Sequence, residues 1–185
     1  MNYHNITYPD QNNGDGLRIV LWVAGCEHHC TNCQNQQTWS PQSGIPFDKN
    51  AMNEILNELK KDYISGITFS GGDPLHPKNV QNVLKIVDEI RVSYPAKNIW
   101  LYTGYTWEEI WIKNNIKTDD KIKDMREKAI KNLRRQVVRM CDVLIDGRYV
   151  DELRDISLHW RGSSNQRVIN VQETLKQNQI VLWES

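Results

Sequence analysis

No apolar run in the sequence exceeds residues 19–24, and those six residues fall far short of the roughly 20 that a membrane-crossing helix needs. There is no excess of either charge: Lys+Arg and Asp+Glu are both 23, so the formal net charge is zero. That balance removes the general electrostatic argument for nucleic acid or an anionic membrane as partner, and leaves only a local patch open. The first residues, Met1-Asn2-Tyr3-His4, have neither the basic start nor the apolar stretch of a secretory signal. A cytoplasmic protein is therefore expected. No repeat, low-complexity tract or linker divides the chain. Its 185 residues, 39% hydrophobic and 25% charged, suit one domain over 1–185 that buries a real core.

Cysteine is scarce as well, with four in the chain. In an exported protein these would suggest two disulfides. Three of them, however, share the eight residues 26–33, and in a reducing compartment such a cluster reads better as metal ligation or redox chemistry. Cys141 stands apart beside an apolar strand and reads as an inert core thiol.

What is present alternates. Residues 17–24 are nearly continuous in apolar, β-favouring types, the pattern of a strand covered on both faces. Met52, Ile55, Leu56 and Leu59 recur at helical spacing behind Asp48 as N-cap. A short strand over 66–69 closes on Ser70-Gly71-Gly72. The next helix has Pro77 in its first turn, Val80, Val83, Leu84, Val87 and Ile90 on one face, and its end at Tyr94-Pro95. A strand over 99–102 leads into Thr103-Gly104, and Thr106 and Glu109 have capping-box spacing.

A long helix over 119–140 is predicted, with Ile122, Met125, Ala129, Leu133, Val137 and Met140 as its apolar stripe. The stretch 113–139 carries ten Lys/Arg against four Asp/Glu and reads as a solvated helix face. Strands over 143–145 and 168–171 complete the series. The alternation predicts an α/β fold with a mainly parallel sheet.

Cys26, Cys30 and Cys33 have the spacing C-x3-C-x2-C directly after the first predicted strand. One tight loop can present three thiolates, soft ligands that suit an iron–sulfur cluster or zinc. On a 4Fe–4S cluster, three cysteines leave one iron open to a reactant, the logic of a catalytic metal site. The alternative is zinc, with His28 or His29 as fourth ligand. Zinc sites usually combine two separated ligand pairs, and no second C-x2-C occurs here.

This motif, followed by Gly71-Gly72-Asp73-Pro74 after the next strand, resembles the radical S-adenosylmethionine enzymes. Further runs narrow the resemblance to the activating proteins of anaerobic ribonucleoside-triphosphate reductase. They are Asn13-Gly14-Asp15-Gly16, Gln34-Asn35, Thr38-Trp39, Tyr102-Thr103-Gly104-Tyr105, Asp146-Gly147-Arg148 and Trp160-Arg161-Gly162-Ser163-Ser164-Asn165-Gln166. The likeness covers residues 3–168, interrupted by a basic helical insertion near 113–139. Two departures lie in the cysteine loop, where the family usually has glycine and tyrosine flanking the third cysteine and this chain has Asn32 and Gln34.

The resemblance implies a short, open partial (β/α) barrel whose active-site loops follow the strands. It implies a 4Fe–4S cluster on Cys26, Cys30 and Cys33, and S-adenosylmethionine held by Asn32, Cys33, Gln34, Gly71, Gly72 and Asp73. Asp73 is expected to take the methionyl ammonium, with Asp146 and Arg161 as further candidates. The implied activity is reductive cleavage of the cofactor to methionine and a 5′-deoxyadenosyl radical, which removes hydrogen from a glycine of the reductase. A low-potential electron donor such as flavodoxin would be a second partner. Alternatives are an activase of another glycyl-radical enzyme, a radical enzyme for a small molecule, or a zinc-stabilised binding module.

Overall fold

The computed structural model describes residues 1–111 and 121–184. The predicted helix start at 119–120 and the front of the expected insertion, 113–120, lie outside the described residues. Among the described residues, seven strands form one sheet: β1 (Asn2–Asp10), β2 (Leu17–Val23), β3 (Ile45–Pro46), β4 (Ile64–Gly71), β5 (Asn98–Tyr102), β6 (Val143–Asp146) and β7 (Arg167–Asn170), in the order β3-β1-β2-β4-β5-β6-β7. The central pairs β2–β4, β4–β5 and β5–β6 are parallel. Antiparallel pairs flank them, β1–β2 and β1–β3 on one side and β6–β7 on the other. The expected α/β alternation and parallel centre are thus present, with antiparallel edges that were not foreseen.

The sheet has two unlike faces, set by side-chain alternation. Ile19, Leu21, Val23, Ile67, Phe69, Ile99, Leu101 and Leu144 belong to the main core. Onto them pack α1 (Lys49–Leu59), α2 (Val80–Ser93), α3 (Trp107–Trp111), α4 (Lys121–Arg139) and α5 (Val171–Gln177) through residues such as Ile55, Val87, Ile110, Val137 and Val171. On the opposite face Trp100, Val143, Ile145 and Val168 form a smaller cluster with Tyr102, Trp160 and Trp183. Among the described residues, loops rather than α-helices cover that side.

One end of this second face is closed by Arg18, which is wholly buried. Its guanidinium donates to Thr68 Oγ1 at 2.8 Å, Asn98 Oδ1 at 2.6 Å, and the carbonyls of Asp15 and Ile67 at 2.9 Å each. Burial lowers its pKa to about 10. A buried cation is tolerable because its donors find acceptors. Gly14 is needed beside it, since a Cβ there would lie 2.8 Å from the Trp100 ring.

Several local expectations hold. Asp48 Oδ1 caps α1 through the amides of Asn50 and Ala51 at 2.9 and 3.0 Å. Thr106 and Glu109 form the capping box of α3 at 3.2 and 2.8 Å. Two differ. Pro77 lies in a turn before α2, not in its first turn, because the 73–79 backbone is taken up by bonds such as Asn79 N–H to His76 O at 2.8 Å. On α4, Ile122 and Met125 are 66% and 70% exposed instead of buried. Only residues from Ile130 onward reach the core, because a 19-residue helix is about 28 Å long and outruns the body it packs on. No described helix is long and apolar enough to cross a membrane.

Candidate active site

The carboxyl ends of β2 and β4 lie side by side, with Val23 opposite Gly71. From β2 the chain enters the cysteine loop, closed at its base by Gly25 N–H to Thr38 O at 2.7 Å and Cys26 N–H to Trp39 O at 2.9 Å. Inside it, Cys33 N–H reaches Cys30 O at 3.2 Å, and Asn35 N–H reaches the Cys33 sulfur at 3.4 Å. Asn32 has φ +54°, a left-handed angle that asparagine tolerates better than most residues. The Asn32 side-chain amide donates to Asp151 Oδ2 at 2.6 Å.

Cys26, Cys30 and Cys33 are free and partly buried. Burial pushes the Cys26 thiol up to about 12, with the nearby Asp73 and Cys30 adding to the rise. It raises Cys30 as well. Thiols that resist ionisation on their own become good ligands once a metal supplies positive charge. Among the described residues, no three His, Cys, Asp or Glu side chains converge to hold a single metal ion. Three thiols on one loop are soft donors of the kind that hold iron–sulfur clusters, so the donor set fits such a group in its chemistry.

His28 is committed elsewhere. Its Nε2 donates to Asp73 Oδ2 at 2.7 Å and its Nδ1 accepts from Arg148 Nε at 3.2 Å, which assigns the neutral Nε2–H tautomer. His29 lies against Trp39 at 4.7 Å.

The adjoining loop depends on its glycines. A Cβ on Gly71 (φ +98°) would meet Val23 O at 2.8 Å, and one on Gly72 would meet Gly25 O at 2.6 Å. Their absence lets Gly72 N–H bond Val23 O at 2.7 Å and Asp73 N–H bond Gly25 O at 2.8 Å. The Asp73 carboxylate, 2% exposed, also accepts from Leu75 N–H at 2.8 Å, Thr103 Oγ1 at 3.0 Å and Gly104 N–H at 3.1 Å. With His28 these donors fill its acceptor sites. It thereby joins three loops.

A cleft of about 470 Å³ opens on the helix-free face beside the cysteine loop, lined in part by Trp22, Cys33, Gln34, Ser70, Tyr102 and Arg161. Its size suits a small-molecule ligand. Three of the expected site residues, Cys33, Gln34 and Arg161, line it. Arg161 Nη1 donates to Gln166 O at 2.9 Å, while its Nε is buried without a described partner. Asp146 is not at the cleft. It is buried, accepting from Trp107 N–H at 2.7 Å and Arg167 Nε at 3.0 Å, and so docks α3.

Reading the sequence missed His28 as an anchor and Trp22 and Tyr102 as lining. Strand alternation puts Trp22 on one face with Val20 and Tyr102 on one face with Trp100, but neither relates the two strands nor says which face is open.

The family model described as 4Fe-4S single cluster domain matches residues 12–169. Among curated relatives, the anaerobic ribonucleoside-triphosphate reductase-activating protein of Escherichia coli K12 is 43% identical over 170 residues, 91% of this chain and 97% of the relative. The proteins of the same name from Haemophilus influenzae and Enterobacteria phage T4 are 40% and 39% identical, over 90% and 91% of this chain and 96% and 93% of theirs. Coverage that complete, at such identity, places the chain in the 4Fe-4S single-cluster-domain family, among the anaerobic ribonucleoside-triphosphate reductase-activating proteins.

Proposed function

We propose that this chain activates an anaerobic ribonucleoside-triphosphate reductase by generating a glycyl radical on it. In this reading Cys26, Cys30 and Cys33 hold a 4Fe–4S cluster, and the cleft beside them takes S-adenosylmethionine. The observation that carries it is the His28–Asp73 bond of 2.7 Å, which fastens the cysteine loop to the Gly71-Gly72-Asp73 loop at the edge of a cofactor-sized cleft. A cluster held by Cys26, Cys30 and Cys33 would supply the single electron needed to cleave the sulfonium reductively, the chemistry by which hydrogen would be removed from a glycine of the reductase.

The chain's own residues bind, orient and shield. Gly71 and Gly72 offer backbone groups at close approach. Cys33 and Gln34 border the cleft with backbone and side-chain polar groups, and Asn32, next to them in the loop, would offer its backbone. Arg161 offers a buried donor to an anionic group. Asp73 acts through the loops it joins, fixing where those groups sit. The seven-stranded sheet is read as a short, open barrel and the chain as one domain. The open side would admit a loop of the reductase, whose closure would keep water from the radical. A low-potential protein such as flavodoxin would deliver the electron.

The test is anaerobic reconstitution with iron and sulfide, reduction, and addition of S-adenosylmethionine. Equal amounts of methionine and 5′-deoxyadenosine are expected. A colourless protein that binds zinc and releases neither product would overturn the proposal.

A further inference from the structure

The cysteine loop is held from a second side, by a helix that the sequence reads as peripheral. Glu27, between Cys26 and His28, accepts a hydrogen bond from the Tyr105 hydroxyl. Arg134 of α4 donates to that hydroxyl through Nη2 at 2.5 Å, and its Nε donates to Leu75 O at 2.8 Å. Its guanidinium carbon lies 3.7 Å from the Tyr105 ring centroid, and Nη2 is 3.8 Å from Glu27 Oε1. The ring of His28 meets the same tyrosine edge-on at 4.6 Å. One tyrosine therefore touches the cysteine loop at two consecutive residues and α4 through a stacked, doubly engaged arginine.

We propose that Arg134 is a positioning residue for the cluster loop, acting through Tyr105 to fix Glu27 and the Cys26 end of the loop. The proposal rests on the reading of Cys26, Cys30 and Cys33 as cluster ligands. Between Cys26 and Cys30 the loop is fastened by side chains: Glu27 to Tyr105, and His28 to Asp73 and Arg148. Removing the Tyr105 contact leaves Glu27 without a described hydrogen-bond partner, next to a metal ligand. The simpler reading of Arg134, one more solvated cation on a basic helix, does not fit a side chain 15% exposed with three directed contacts. A planar guanidinium can stack on the ring and donate along its edge at once, which an ammonium cannot. Positioning of a first ligand by outer groups is what sets a metal centre's geometry and electronic properties.

Two measurements on the full chain test this. In metal-free protein, amide hydrogen exchange is followed in wild type, Arg134→Ala, Tyr105→Phe and the double variant. Tyr105→Phe keeps the ring and its packing, so it guards against a fold lost with Arg134. Both single variants should speed exchange within residues 26–30 by roughly tenfold or more, the scale of one lost charge-assisted hydrogen bond. Strands β4 and β5 should stay at the wild-type rate, and the double variant should match the faster single. Reconstituted and reduced Arg134→Ala should show shifted g-values in its electron paramagnetic resonance spectrum.

Wild-type exchange in 26–30 for both variants, or additive effects in the double variant, would overturn the relay. An unchanged spectrum in Arg134→Ala would overturn its bearing on the cluster. Failure of the cluster reading itself would appear separately, as wild type that takes up no iron and sulfide.

Discussion

Asn32 shows what the cysteine loop demands of a single residue. Its φ of +54° costs a β-branched side chain about 1–2 kcal/mol and costs glycine nothing. Asn32→Gly should therefore leave stability within about 1 kcal/mol of wild type, and Asn32→Val should lower it by about 1–2 kcal/mol. Urea unfolding of the metal-free chain measures both, and equal midpoints for Val and Asn would remove the conformational argument. The cysteines separate by place in the same way. Cys26→Ala, Cys30→Ala and Cys33→Ala should each abolish iron and sulfide uptake. Cys141→Ala, wholly buried under α4, should retain it at a cost of about 1 kcal/mol in stability. Equal iron loss in all four would refute the assignment.

Asp73 separates two roles. A carboxylate that joins three loops should, on Asp73→Ala, take roughly 3 kcal/mol from the stability of the metal-free chain. It should weaken cofactor binding in the reconstituted protein as a consequence. Weakened binding with wild-type stability would return Asp73 to direct contact with the ligand.

At the scale of elements, α3 is docked by charge. Arg167 reaches Asp146 Oδ1 at 3.0 Å and Glu108 at 2.8 and 3.0 Å. Its hydrogen bond holds the Glu108 carboxyl at about 2, below the ordinary 4.5. A lowered carboxylate stabilises the fold above its unfolded value, and that contribution is lost as pH falls through the folded one. The pair's stabilisation should thus be full above about pH 4.5 and fade toward pH 2. Glu108→Gln should lose stability at pH 7 and draw level with wild type near pH 2. An unchanged difference across that range would contradict the linkage.

Helix α4 divides by burial. Lys128 is 70% exposed and pairs with Asp124 at 2.7 Å, a surface contact worth a few tenths of a kcal/mol. Arg126→Glu with Lys128→Glu should leave cofactor cleavage unaltered, assayed as 5′-deoxyadenosine released; loss of cleavage in the folded variant would bring this outer face into the site.

The strands that position the site were legible because they are buried on both faces, which leaves runs such as Ile19-Val20-Leu21-Trp22-Val23 with little polar interruption. Strand β1 was not, because a strand that buries only Tyr3 and Ile6 among Asn, His and Pro carries no clear alternation. Helix α5 begins at Val171, directly after β7, under an Asn170 cap that accepts Glu173 N–H at 3.1 Å. Val171 therefore read as the end of a strand.

At the scale of the molecule, the two functional loops meet because β2 and β4 are parallel neighbours in register. Both motifs could be read as sequence. The bonds that join them could not, because His28–Asp73 and Glu27–Tyr105 span 45 and 78 residues and leave no local pattern. The cleft lies on whichever face lacks helices, and alternation alone assigns no face.

An assembly that delivers a radical to a protein is tested most directly with that protein as the reagent. The measurement mixes the reconstituted, reduced chain with S-adenosylmethionine and anaerobic ribonucleoside-triphosphate reductase without oxygen, then records the electron paramagnetic resonance spectrum. A glycyl doublet should appear on the reductase, require both the chain and the cofactor, and vanish when the acceptor glycine is replaced by alanine. No doublet on the reductase, with activation of pyruvate formate-lyase under the same conditions, would contradict that delivery.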